Sequence, residues 1–154
     1  MDRLRNAETF AGMLCVDKWT CNANGRQAVF WRKSRERKYS ATFIDQGYCF
    51  NAGEWNFPDS PLRGVYSRNE VYKDVRGWES FEPWLTRLEL MPLETLAECA
   101  DGVPTEWYGD PDELERLIAQ LDKRRVRIRE LIVAFKESSR APFPAWTEVR
   151  VAVQ

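Results

Sequence analysis

Cys15-Val16-Asp17-Lys18-Trp19-Thr20-Cys21-Asn22-Ala23-Asn24-Gly25-Arg26-Gln27-Ala28-Val29-Phe30-Trp31, followed by Tyr39-Ser40-Ala41-Thr42-Phe43-Ile44-Asp45-Gln46-Gly47, is the stretch on which the fold turns. An apolar run from Met13 to Val16 delivers Asp17, and residues 17 to 27, rich in Asn and Gly, read as a loop. Ala28 to Trp31 and Tyr39 to Ile44 are rich in β-branched and aromatic residues. The turn between them, Arg32-Lys33-Ser34-Arg35-Glu36-Arg37-Lys38, is too charged to bury, so the two runs predict a hairpin. Asp45 leaves the second strand two residues before Gly47.

Asp17 and Asn22 stand five apart, the Asp-x-x-x-x-Asn spacing of a protein-kinase catalytic loop. Phosphoryl transfer calls for a carboxylate near the acceptor hydroxyl and for oxygen ligands to magnesium, and these two residues offer one of each. Asp45-Gln46-Gly47 follows a strand, as the kinase Asp-Phe-Gly does. The lone spacing is common by chance; the order of loop, hairpin and Asp-x-Gly is the stronger signal. The alternative for Asp17 and Asn22 is that they cap and stitch an Asn-Gly-rich turn. Arg26 could reach a phosphate, although an arginine in such a loop more often partners a nearby carboxylate.

With Phe43 to Phe50, Asn51 to Pro58, Arg63 to Tyr66 and Gly77 to Trp84, residues 17 to 27 resemble the catalytic core of the bacterial HipA-like kinases, over roughly residues 5 to 138. The resemblance implies a kinase-like large lobe with Asp17 as catalytic residue, Asn22 and Asp45 as metal and cofactor ligands, and Mg2+ and ATP as cofactors. Two departures stand out. Cys15-Val16 occupy the place of a His-Arg pair, and only sixteen residues precede Asp17, which leaves no room for a small lobe with its Gly-rich loop and strand Lys.

The expectation is therefore an α+β, mostly helical fold, the large lobe over 1–138 and a loose tail over 139–154. It would be weakly active or inactive alone, with a separate small-lobe protein or a protein substrate as partner, or a small-molecule acceptor. A non-catalytic kinase-fold regulatory module of toxin–antitoxin type is the alternative.

Composition fits a single domain of 154 residues with 44% apolar residues and seven Trp; most of those rings are expected in the core. A net charge of −1 gives no sign of a nucleic-acid binder. The chain has no His, which removes Ser-His and Cys-His hydrolases. Four Cys without a Cys-x-x-Cys argue for buried thiols in a reducing cytoplasm rather than zinc. No apolar run is long enough to span a membrane.

Downstream, the first helix is expected to end near Leu14, and Gly47 to Pro61 to be irregular. Ser67 with Glu70 reads as a capping box, and Ser80 to Leu90 and Leu93 to Ala100 as helices. Asp110-Pro111-Asp112-Glu113 is a helix start. Apolar residues from Leu114 to Phe135 then recur at helical spacing, as one helix or as two joined near Asp122. The Lys123–Arg129 cations are expected on a solvated face, paired with Asp112, Glu113, Glu115 or Glu130.

Overall fold

The computed structural model describes residues 3–147. It is an α+β fold, about 46% helical, with one small antiparallel sheet. Helix α1 (Thr9–Thr20) runs through its middle, with Phe10, Ala11, Leu14 and Cys15 on one side and Asp17, Lys18 and Thr20 also buried. It does not stop at Leu14. The helical spacing continues through Lys18, and the chain turns only at Cys21, whose φ of 50° is left-handed. Arg124 completes the end by donating from Nη2 to the Lys18 carbonyl and from Nε to the Trp19 carbonyl, both at 2.8 Å, two groups with no partner inside the helix.

Strands β1 (Gln27–Trp31) and β2 (Ser40–Ile44) form the expected hairpin, in register from Gln27 opposite Ile44 to Trp31 opposite Ser40. Opposed residues share a face. Ala28 and Phe43 pack on the core and Ala41 is buried within it, whereas Val29, Trp31 and Ile44 on the other face are exposed. Asn6 fastens the start of α1 to β2, its amide exchanging two 2.9 Å bonds with the Ala41 backbone.

The segment after the hairpin is irregular, as expected: its tight turn α2 (Cys49–Ala52) has left-handed backbone at Phe50, Asn51 and Ala52 (φ 56°, 57° and 58°) and is not a right-handed helical turn. Asn69–Tyr72 forms a 3-10 turn whose cap residue is Arg68, without a side-chain bond, so the Ser67 capping box does not form. The stretch expected as one helix over 80–90 divides into a 3-10 turn, Trp78–Phe81, and α3 (Trp84–Glu89). Proline 83, between them, lacks the amide hydrogen that a continuous helix would use. Gly12 lets α1 approach α3: a Cβ there would lie 2.4 Å from the Trp84 ring.

Helices α4 (Leu93–Asp101) and α5 (Pro111–Arg125) follow, the latter capped by Asp110, which accepts from the Asp112 amide at 3.0 Å. The long periodic stretch is two helices; the chain breaks at Val126 and Arg127 before α6 (Ile128–Lys136). Ile128, Ile132 and Phe135 of α6 join Phe10, Leu14, Phe81 and Leu85 in the main core. Leu96, Leu117 and Leu121 make a second, smaller cluster. Burying each such side chain contributes about 1.5–3 kcal/mol.

Two expectations for the C-terminal third are corrected. The cations pair mostly with other acids than those expected: Arg124 with Asp59, Arg125 with Asp122, Arg129 with Glu89, and only Arg127 with Glu130. Residues 139–147 are not a loose tail. Phe143 is buried, its ring set edge-on against Tyr72, Phe81 and Phe135, and Trp146 packs on Trp78 at 5.0 Å between centroids. The remainder of the expected tail, 148–154, lies outside the described residues.

Candidate functional site

The end of α1, the loop 21–26 and the turn after β2 meet around Arg26. Its Nε donates to both oxygens of Asp17, at 3.2 and 3.0 Å, and Nη2 donates to Asp17 Oδ1 at 2.5 Å. Both side chains are only 1% exposed. The same guanidinium reaches across the hairpin: Nη1 donates to the carbonyls of Ile44 (2.8 Å) and Asp45 (3.2 Å). Arg26 thus ties the loop after α1 to the Asp-x-Gly turn.

Asn22 completes the knot. Its amide nitrogen donates to Asp17 Oδ1 at 2.8 Å and its amide oxygen accepts from the Asn24 backbone at 3.1 Å. Gly64, with φ +74°, closes over both residues; a Cβ at this position would lie 2.9 Å from Asp17 Cβ. Lys18, next along the helix, donates to the carbonyls of Pro61 and Arg63, each at 2.8 Å, and so fixes the strap that carries Gly64.

Burial pushes the Asp17 carboxyl up from its usual range, against the opposing pull of Arg26 and Asn22. Arg26 is pushed down by burial and up by its bonds to and charge attraction with Asp17, with a net rise. A guanidinium keeps its proton throughout, so Arg26 stays cationic and its bonds to Asp17 favour the ionised carboxylate against the burial that opposes it. Burial likewise lowers Lys18, to about 8, and raises the Cys15 thiol to about 12.

Asp45 stands apart from the knot in chemistry though not in space. Its side chain is exposed, its backbone is left-handed at φ 62°, and its Oδ2 accepts from Gln27 Nε2 at 2.7 Å. Left-handed backbone is tolerated best by Gly, Asn and Asp. Gln27 stands opposite Ile44 in the ladder, on the same sheet face as Val29 and Trp31. The exposed apolar strip of the hairpin therefore leads to the Gln27–Asp45 pair.

No family model, no curated protein and no solved structure matches the chain.

Of the residues expected to form one site, Asp17 and Asn22 are brought together inside, and Asp45 is linked to them only through Arg26. A magnesium ion fits the Asp45 end in its donor chemistry. One carboxylate beside a side-chain amide is a normal protein share for this ion, which takes its other oxygens from water and phosphates. Asn22 does not fit as a ligand here, since it is buried and both ends of its amide are engaged. Among the described residues no three Asp, Glu, Cys or His side chains converge.

Sequence reasoning missed Gln27. The signal was its place opposite the residue before Asp45, legible only once the register is known. It left the role of Lys18 unread as well, because a lysine in a polar stretch reads as exposed.

Proposed function

We propose that this chain is the large-lobe part of a HipA-like phosphotransferase, holding Mg2+–ATP at Asp45 and Gln27. The observation that carries the reading is the Gln27–Asp45 pair at the end of an open apolar sheet face. It joins an anionic oxygen for a metal–phosphate group to Val29, Trp31 and Ile44, which suit a nucleoside base or a second lobe laid over it. Magnesium, when bound, neutralises phosphate charge. Asp45 orients that end of the nucleotide and Gln27 fixes the Asp45 rotamer. Asp17 acts through Arg26 as a positioning residue that holds the Asp45 turn against the loop.

The acceptor is a protein or small-molecule hydroxyl. A small lobe carrying a Gly-rich loop would close the site, so these 154 residues by themselves are expected to show weak or no transfer activity.

Calorimetry of the purified chain with ATP, with and without Mg2+, tests this. Magnesium-dependent binding that drops at least tenfold in both Asp45→Ala and Gln27→Ala supports it; binding unchanged in Asp45→Ala removes it. A second reading, a non-catalytic kinase-fold binding module, draws support from the burial of Asp17 and Asn22. It predicts no nucleotide binding at millimolar concentration and capture of a protein partner that survives Asp45→Ala.

A further inference from the structure

Charge that cancels over the whole chain is concentrated at one end of the hairpin. Residues 32–38 carry five cations, Arg32, Lys33, Arg35, Arg37 and Lys38, against one acid, Glu36. All five are exposed. Glu36 is claimed from outside the turn by Arg5 at 2.8 Å. The segment from Arg3 to Arg5 makes an isolated bridge at Leu4 beside the start of β2, with Tyr39 N donating to Arg3 O and Arg5 N to Tyr39 O, and adds two more cations to this end.

Aromatic rings are interleaved with those charges. Arg3, Leu4, Phe30 and Tyr39 line an open hollow of about 250 Å³, on the sheet face opposite Gln27, Val29 and Trp31. Phe30 is 40% exposed although its inner side stacks on Phe10. Arg32 lies over the Tyr39 ring at 5.0 Å, which holds ring and guanidinium in one platform. Arg32 Nη1 also donates to the Glu36 carbonyl, so the turn has a defined shape.

We propose that this end of the hairpin binds single-stranded nucleic acid, with a base stacked in the Phe30–Tyr39 hollow and the backbone phosphates on Arg35, Arg37 and Lys38. Bare positive charge would suit any polyanion. Rings presented beside it are the feature that single-stranded recognition requires, because every base has a face to stack and every nucleotide a phosphate to neutralise. The surface is separate from the Gln27–Asp45 pair.

The test is fluorescence anisotropy of labelled 12-mers, oligo(dT) and oligo(U), with the full chain between 50 and 500 mM salt. The two oligomers separate a DNA from an RNA ligand. With three phosphates neutralised by Arg35, Arg37 and Lys38, affinity should fall with salt at a log–log slope of roughly −2. Exchanging Arg35, Arg37 and Lys38 together for Glu should weaken binding by more than tenfold, and Tyr39→Ala by about tenfold, while Asp45→Ala leaves it unchanged. Circular dichroism of the charge-reversed protein, altered only at exposed side chains, verifies that it is folded. Absence of binding at 50 mM salt, or equal binding by the charge-reversed protein, overturns the proposal. So does a preference for poly-glutamate or anionic vesicles over both oligomers.

Discussion

Arg26 and Asp17 form an ion pair at 2.5 Å with each side chain 1% exposed, and the same guanidinium holds the carbonyl of Asp45. Two segments 28 positions apart are thereby joined through one buried cation. Removing one member of such a pair strands the other charge in a medium that solvates it poorly.

Asp17→Ala should therefore cost about 3–5 kcal/mol of folding stability, measured by urea denaturation. The double variant Asp17→Leu, Arg26→Met should recover a large part of that loss, because neither charge is then left alone. A single variant as stable as the parent would show that the pair is not closed in solution.

Gly64→Ala is expected to destabilise by at least about 1–2 kcal/mol from its left-handed backbone alone, and by more from the 2.9 Å approach to Asp17 Cβ. Gly53, also left-handed at φ +87°, has open space around its Cβ position. Substitution there should show the backbone cost without the packing cost, and thermal melts of the two variants separate these contributions.

Lys18 gives a pH dependence of defined sign. Its folded value is lowered from 10.5 to about 8, with burial as the main cause and the neighbouring Asp17 and Asp59 opposing it. Below pH 8 both states hold the proton and the full penalty of a buried charge is present. Between 8 and 10.5 the unfolded chain binds one proton more, so stability rises with pH by something on the order of 3 kcal/mol. The Cys15 thiol, raised from 9.0 to about 12, acts in the opposite sense above pH 9. The useful measurement is thus the difference between the parent and Lys18→Met: the parent should gain on the variant across this range, and parallel curves would contradict the assignment.

Phe143→Ala should cost about 3–5 kcal/mol, as for a buried ring surrounded by other rings. A chain ending at Ser138 loses Trp146 as well and should fail to show a cooperative melt. Retention of a normal melt by that shortened chain would restore the view of residues 139–147 as a tail.

Thiol reactivity offers a simple check on burial. Cys99 is exposed, whereas Cys15 is buried with its thiol pushed up to about 12. Iodoacetamide at pH 8 should label Cys99 within minutes and leave Cys15 unmodified until the protein is denatured. Equal labelling of both in the native protein would mean that α1 is not packed as described.

By itself the sequence determined the elements whose signals are local. Alternating apolar residues around an unburiable charged turn specify the hairpin, and Asp110 with Pro111 specifies the start of α5. Helical recurrence from Leu114 to Phe135 specifies helix there, since a cap, a fixed φ and a 3.6-residue period act within a few residues. Tertiary structure decided everything that depends on a distant partner. α1 continues to Thr20 because Arg124, over a hundred positions later, takes its last carbonyls. Asp17 is internal because Arg26 neutralises it and Gly64 makes room above it, and Phe143 is core because Tyr72, Phe81 and Phe135 leave a ring-sized space. A carboxylate in a polar stretch has the same local signature whether it faces water or a guanidinium. Only the long-range packing around it fixes the dielectric in which it sits, and with that what it can do.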